Sequence, residues 1–74
     1  MDVFSERLNK LISESKITRY RVAKDLKCSK ATVLNWCEGY NEPKASQIKR
    51  LAVYFDVSAD YLLGLEDESG TKTR

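Results

Sequence analysis

Residues 19–39 read RYRVAKDLKCSKATVLNWCEG, and the placing of apolar side chains within them decides the fold. Val22, Ala23 and Leu26 recur at helical spacing, the pattern breaks at Lys27 and Cys28, and it resumes with Val33, Trp36 and Cys37. Thr18 and Ser29 each stand where a helix needs an acceptor for its first unpaired N–H groups, and Gly39 suits a helix exit. Two helices of about two turns, joined by only a few residues, cross steeply and need a small side chain at the crossing. Ala23 supplies it. The inside of this unit is then Val22, Leu26, Cys28, Val33 and Trp36, while Lys30, Ala31, Leu34 and Asn35 lie outside. A helix presented in this way fits a DNA major groove about 12 Å wide.

Helical spacing continues on both sides. Phe4, Leu8, Leu11 and Ile12 form one stripe and predict a first helix from about Val3 to Ser15. After the loop GYNEP, Pro43 suits the start of a fourth helix, whose inward residues are Ile48, Leu51, Ala52 and Phe55. Asp56 is expected to take a left-handed exit, Val57 to pack and Ser58 to cap. A short fifth helix with Ala59, Leu62 and Leu63 inward then ends at Gly64. No stretch alternates with the period of two that a half-buried strand needs. The expectation is an all-α chain: a compact five-helix bundle over residues 1–65. Residues 66–74, EDESGTKTR, contain no apolar side chain and are expected to be a disordered tail or the start of a linker.

With 74 residues the chain makes one small domain, which buries only roughly 60% of the surface its unfolded form exposes. Its 42% hydrophobic and 32% charged residues are those of a globular protein, and no apolar run approaches the ~20 residues that span a bilayer. Asp2, Glu6, Arg7, Lys10 and Glu14 leave no apolar stretch for a signal peptide, so a cytoplasmic protein, nucleoid-associated in function, is expected. Cys28 and Cys37 stand nine apart with no histidine in the chain, which fits neither a zinc site nor a disulfide scaffold and assigns both to the core. Without histidine, metal cluster, phosphate loop or paired acid and base, no enzyme, cofactor, metal or small-molecule ligand is expected.

The net charge is only +2, but its distribution is uneven. From Lys16 to Arg50 nine bases stand against three acids, whereas the rest of the chain has four bases and eight acids. Arg19 and Arg21 fall in the first turn of the second helix and Lys30 in that of the third, where the helix dipole disfavours positive charge by some tenths of a kcal/mol each. Folding alone would not choose them. Bases beside the free N–H groups of helix starts make an anion site of the phosphate-binding kind.

Residues 4–64 resemble the helix-turn-helix domain shared by Cro, the lambda-type phage repressors and the xenobiotic-response-element type of bacterial regulator. The resemblance rests on RYRVAKDLKCSKATVLNWCEG, the following EP, and IKRLAVYFDVSADYLLG, in order and spacing. Two positions depart from the family: Lys27 stands where it usually has a turn glycine, and Cys37 where it usually has glutamate. If Lys27 takes positive φ, it stores roughly 1 kcal/mol of strain. The resemblance implies that Lys30, Ala31 and Asn35 read bases: Lys30 at guanine, Asn35 at adenine and Ala31 at a thymine methyl. It implies phosphate contacts from Thr18, Arg19, Lys27, Thr32, Tyr40 and Asn41. Trp36, three residues after Val33, is core rather than a stacking platform.

One short reading helix makes too few base contacts for useful specificity, so a homodimer on a palindromic DNA operator is expected, with half-sites about 34 Å apart. Val53, Tyr54, Tyr61 and Leu65 lie beyond the core stripes and are the candidate dimer contacts. The function expected is a sequence-specific transcriptional regulator of phage-repressor or controller type, reading with the helix from about Ser29 to Glu38. The alternative is an antitoxin-like protein-interaction module that keeps the fold without DNA binding; it predicts a neutral face across the second and third helices.

Overall fold

The computed structural model describes residues 3–67, which form five α-helices and no β-strand. They are α1 (Val3–Glu14), α2 (Arg19–Leu26), α3 (Lys30–Glu38), α4 (Ala45–Phe55) and α5 (Ala59–Leu63). The chain divides between Glu42 and Pro43 into two units, one holding α1 to α3 and the other α4 and α5. Of the expected tail, Glu66 and Asp67 are described and Glu66 accepts a hydrogen bond from the Ser58 hydroxyl; residues 68–74 lie outside the described residues.

Every one of the five helices ends on a residue in the left-handed region: Lys16 (φ 56°), Lys27 (φ 57°), Gly39 (φ 81°), Asp56 (φ 56°) and Gly64 (φ 83°). That conformation turns two successive N–H groups back onto the last turn. At the end of α2, Lys27 N–H donates to Lys24 O at 3.2 Å and Cys28 N–H to Ala23 O at 3.0 Å. The same pair of bonds closes α1, α3, α4 and α5. The residue following each left-handed position is apolar or aromatic: Ile17, Cys28, Tyr40, Val57 and Leu65. Glycine adopts this conformation freely and aspartate tolerates it, but a lysine does so at about 1 kcal/mol.

Three helices begin on hydroxyl caps. Thr18 Oγ1 accepts from Arg21 N–H at 3.0 Å, Ser29 Oγ from Thr32 N–H at 3.1 Å and Ser58 Oγ from Tyr61 N–H at 3.0 Å. At α4 the structure corrects the expected start. Pro43 stands outside the helix, because the first backbone acceptor of the ladder is Lys44 O, bonded by Gln47 and Ile48 N–H. A lysine side chain has no acceptor, so Lys44 cannot cap; instead its N–H donates to Gln47 Oε1 at 2.9 Å.

In the first unit α3 packs on both α1 and α2. The buried apolar residues are Phe4, Leu8 and Ile12 of α1, Val22, Ala23 and Leu26 of α2, and Val33, Trp36 and Cys37 of α3. Leu11 is only half-buried. Cys28, expected in the core, is also half-buried: it lies in the turn that closes α2, not on a helix face. In the second unit α4 packs on α5, and Leu51, Ala52 and Leu62 are buried. Leu63 is 50% exposed rather than inward. Its neighbour Leu62 holds the inward position, and one residue along a helix turns the side chain by about 100°.

Replacing Lys27 with glycine removes the left-handed strain. Lys27→Gly is therefore expected to raise the unfolding free energy by about 1 kcal/mol in a urea titration, less the extra freedom glycine gives the unfolded chain. A loss of stability would mean that the lysine side chain itself supports the turn.

Candidate nucleic-acid interface

Lys27, Cys28 and Ser29 join α2 to α3, and the left-handed Lys27 makes the chain reverse within that span. With Val33, Trp36 and Cys37 buried, the opposite face of α3 is set. Lys30 and Ala31 are exposed on it, and Leu34 and Asn35 are half-buried. Over five residues this face runs about 7.5 Å along the axis. Neither the Lys30 ammonium nor the Asn35 carboxamide has a partner among the described residues. Their charge and hydrogen-bonding groups are left for solvent or a ligand.

The residues expected at phosphates are placed differently, because several of them already serve the fold. Thr18 caps α2, and the Thr32 hydroxyl lies 2.7 Å from Ser29 Oγ at the start of α3. Lys27 is exposed in the turn, and Tyr40 (78% exposed) and Asn41 follow the end of α3. Arg19 is held from two sides: its Nη2 donates to Asn9 Oδ1 at 3.2 Å, and its Nη1 lies 3.5 Å from Glu38 Oε1. Arg21 pairs with Asp25, Nε to Oδ2 at 3.0 Å.

The expectation that folding would not choose these bases is thus corrected for Arg19 and Arg21, which have partners within the unit, and stands for Lys30. The Arg19 charge, unfavourable at the start of its own helix, meets the acidic last residue of α3, where a cation is favoured.

Asn9 is the residue that the periodicity of α1 did not single out. Its Nδ2 donates to Ser5 O and to Cys37 O, each at 2.9 Å, while its Oδ1 accepts from Arg19. The signal was present in the sequence as two polar residues, Ser5 and Asn9, each directly following an apolar stripe residue, Phe4 and Leu8. Ser5 is fully buried. Cys37 occupies the position of the usual family glutamate. Burial pushes its thiol pKa up, against a lowering by Arg19, with Glu38 adding to the rise. The thiol is therefore neutral, and the polar ties of this helix end come from Asn9 and Glu38.

In the second unit Val53 is 75% exposed and Leu65 is exposed, while Tyr54 and Tyr61 are half-buried. The Tyr54 ring meets Phe55 edge-on, with centroids 4.9 Å apart. Val53 and Leu63 line a shallow apolar groove of about 280 Å³ together with Ile48 and Ala52. Among the described residues no cluster of His, Cys, Asp and Glu could hold a metal ion, and no helix is long and apolar enough to cross a membrane.

The solution structure of the SOS-response transcriptional repressor LexA from Eubacterium rectale is similar to this chain. It has a TM-score of 0.82 and 32% sequence identity over 97% of this chain and 74% of that one. No curated protein matches. A family described as a helix-turn-helix domain matches residues 5–68, which hold α2 to α5 and all of α1 but its first two residues. The chain belongs to this helix-turn-helix family, of the Cro and lambda-repressor-like kind, and is a DNA-binding transcriptional regulator rather than an enzyme.

Proposed function

We propose that the chain is a repressor that binds a palindromic operator as a homodimer, with α3 in the major groove. The observation that carries this reading is the outward face of α3, where Lys30 and Asn35 are without partners among the described residues while the opposite face is buried. On it Lys30 reads guanine, Asn35 reads adenine and Ala31 touches a thymine methyl. Thr18, Arg19, Lys27, Thr32, Tyr40 and Asn41 meet phosphates and fix the register. The nine bases against three acids between Lys16 and Arg50 favour this reading over an interaction module with a neutral face. The similar solution structure is that of a transcriptional repressor, which agrees with it. Val53, Tyr54, Tyr61 and Leu65 form the dimer contact, with the two exposed aliphatic residues contributing most of the apolar area.

Selection from a pool of random duplexes at moderate salt is expected to return a palindrome with half-sites about 34 Å apart. A pool without enrichment refutes the specific reading. On the selected site, Lys30→Ala and Asn35→Ala should each lose roughly 1 to 3 kcal/mol of discrimination at one base pair. Arg19→Ala should weaken all sequences alike and lower the salt slope of log K by about one unit.

Val53→Glu replaces an exposed apolar contact by a charge. Sedimentation should show it as a monomer, with operator affinity reduced and affinity for a single half-site retained. Retention of the dimer would move the contact elsewhere.

A further inference from the structure

We propose that Asn9, on α1 and away from the reading face, is a positioning residue for DNA binding. Its one carboxamide sets both the last turn of α3 and the guanidinium at the start of α2. The inference rests on the reading that α3 recognises DNA.

The carbonyl of Cys37 belongs to the last turn of α3 and would be bonded within a longer helix by Asn41 N–H. That N–H instead turns back to Asn35 O, at 3.5 Å, because Gly39 has reversed the chain. Asn9 Nδ2 supplies the missing donor from another helix at 2.9 Å. A second bond, to Ser5 O at 2.9 Å, anchors the carboxamide to its own helix and fixes which way it faces. The remaining oxygen then points its acceptor at Arg19 Nη2, 3.2 Å away, opposite the Glu38 carboxylate on Nη1.

Two consequences for binding follow. The angle of α3 is pinned at its far end by a bond to α1, so the groove-facing side chains near Lys30 and Asn35 sit on a helix that cannot pivot about its capped start. Arg19 is held between two acceptors with its side chain 38% exposed, and its Nε–H is without a partner among the described residues. Part of the guanidinium stays presented for a phosphate. Without the Asn9 oxygen nothing opposes Glu38, and the guanidinium moves onto that carboxylate as a closer ion pair.

Because the donor acts on α3 and the acceptor on Arg19, two substitutions separate them. Asn9→Ala removes both, and Arg19→Ala removes only the group that the acceptor holds. The full chain carrying each change would be titrated with the duplex enriched from the random pool and with a scrambled duplex of the same composition. The titration is run at several salt concentrations, with folding checked by circular dichroism. Asn9→Ala is expected to lose about tenfold in operator preference and about one unit of salt slope. Arg19→Ala should lose the same unit of slope but keep the parental preference.

A folded Asn9→Ala with parental preference and slope overturns the proposal, since Asn9 then serves stability alone. Failure of Asn9→Ala to fold overturns it in the same way. A parent chain that shows no preference between the two duplexes removes the underlying reading, and that failure is visible before any variant is measured.

Discussion

Every α-helix leaves its last four carbonyl groups without partners inside the helix, and five short helices within residues 3–67 make this the constraint on which the chain depends. The backbone answers it in one way throughout, by a left-handed residue that folds two N–H groups back onto the last turn. Glycine is available for this only at positions 39 and 64. Lys16 and Lys27 adopt it against the clash of their own Cβ, which in a chain of this size is a noticeable fraction of the stability. The turn after α2 shows what that strain achieves. One left-handed residue closes α2 and, two residues on, delivers Ser29 to cap α3. Where backbone closure leaves a carbonyl over, at Cys37, a side chain from α1 completes the set.

The placing of positive charge follows the same logic once neighbouring helices are included. Taken one helix at a time, the dipole disfavours Arg19, Arg21 and Lys30 alike. Arg21 is answered locally, by the carboxylate one turn later. Arg19 is answered by the end of α3, nineteen residues further along the chain. Of these three, only Lys30 retains an unfavourable position with no compensation among the described residues. This gives its assignment to DNA a firmer physical basis than the overall excess of bases.

These differences explain what was legible in the sequence. The hydroxyl caps and the exits at Gly39, Asp56 and Gly64 were, because each depends on the chemistry of a single position: Thr18, Ser29 and Ser58 accept, and Gly39, Asp56 and Gly64 tolerate positive φ, whereas nothing in a lysine marks the exit at Lys16. The buried faces of α2 and α3 were legible too, although α3 is only weakly amphipathic, since Ala31 and Leu34 dilute its outer face. The surroundings of Pro43, Cys28 and Leu63 were not, because they depend on a boundary or a rotation one residue wide. The polar pair Ser5 and Asn9 was visible, but what Asn9 bonds was hidden for a different reason. Its partners are Ser5, Arg19 and Cys37, and no local spacing rule connects residue 9 to residues 19 and 37.

A division of labour follows within the proposed DNA-binding surface. The residues assigned to phosphates are largely residues the fold already uses: Thr18 caps α2, Thr32 bonds the cap of α3, Lys27 forms the turn and Arg19 ties α2 to α1 and α3. The residues assigned to bases, Lys30, Ala31 and Asn35, have no such duty in their side chains among the described residues. Phosphate contacts carry no sequence information and need only constant geometry, so they can be shared with capping and packing. Base contacts must be free to differ between operators, and here they sit on a helix whose seat is fixed by Val33, Trp36 and the Asn9 bond to Cys37 O. On the proposed reading, exchanging Lys30, Ala31 and Asn35 would alter what is read without disturbing how the helix is held, whereas altering the phosphate set would change the fold and the docking together.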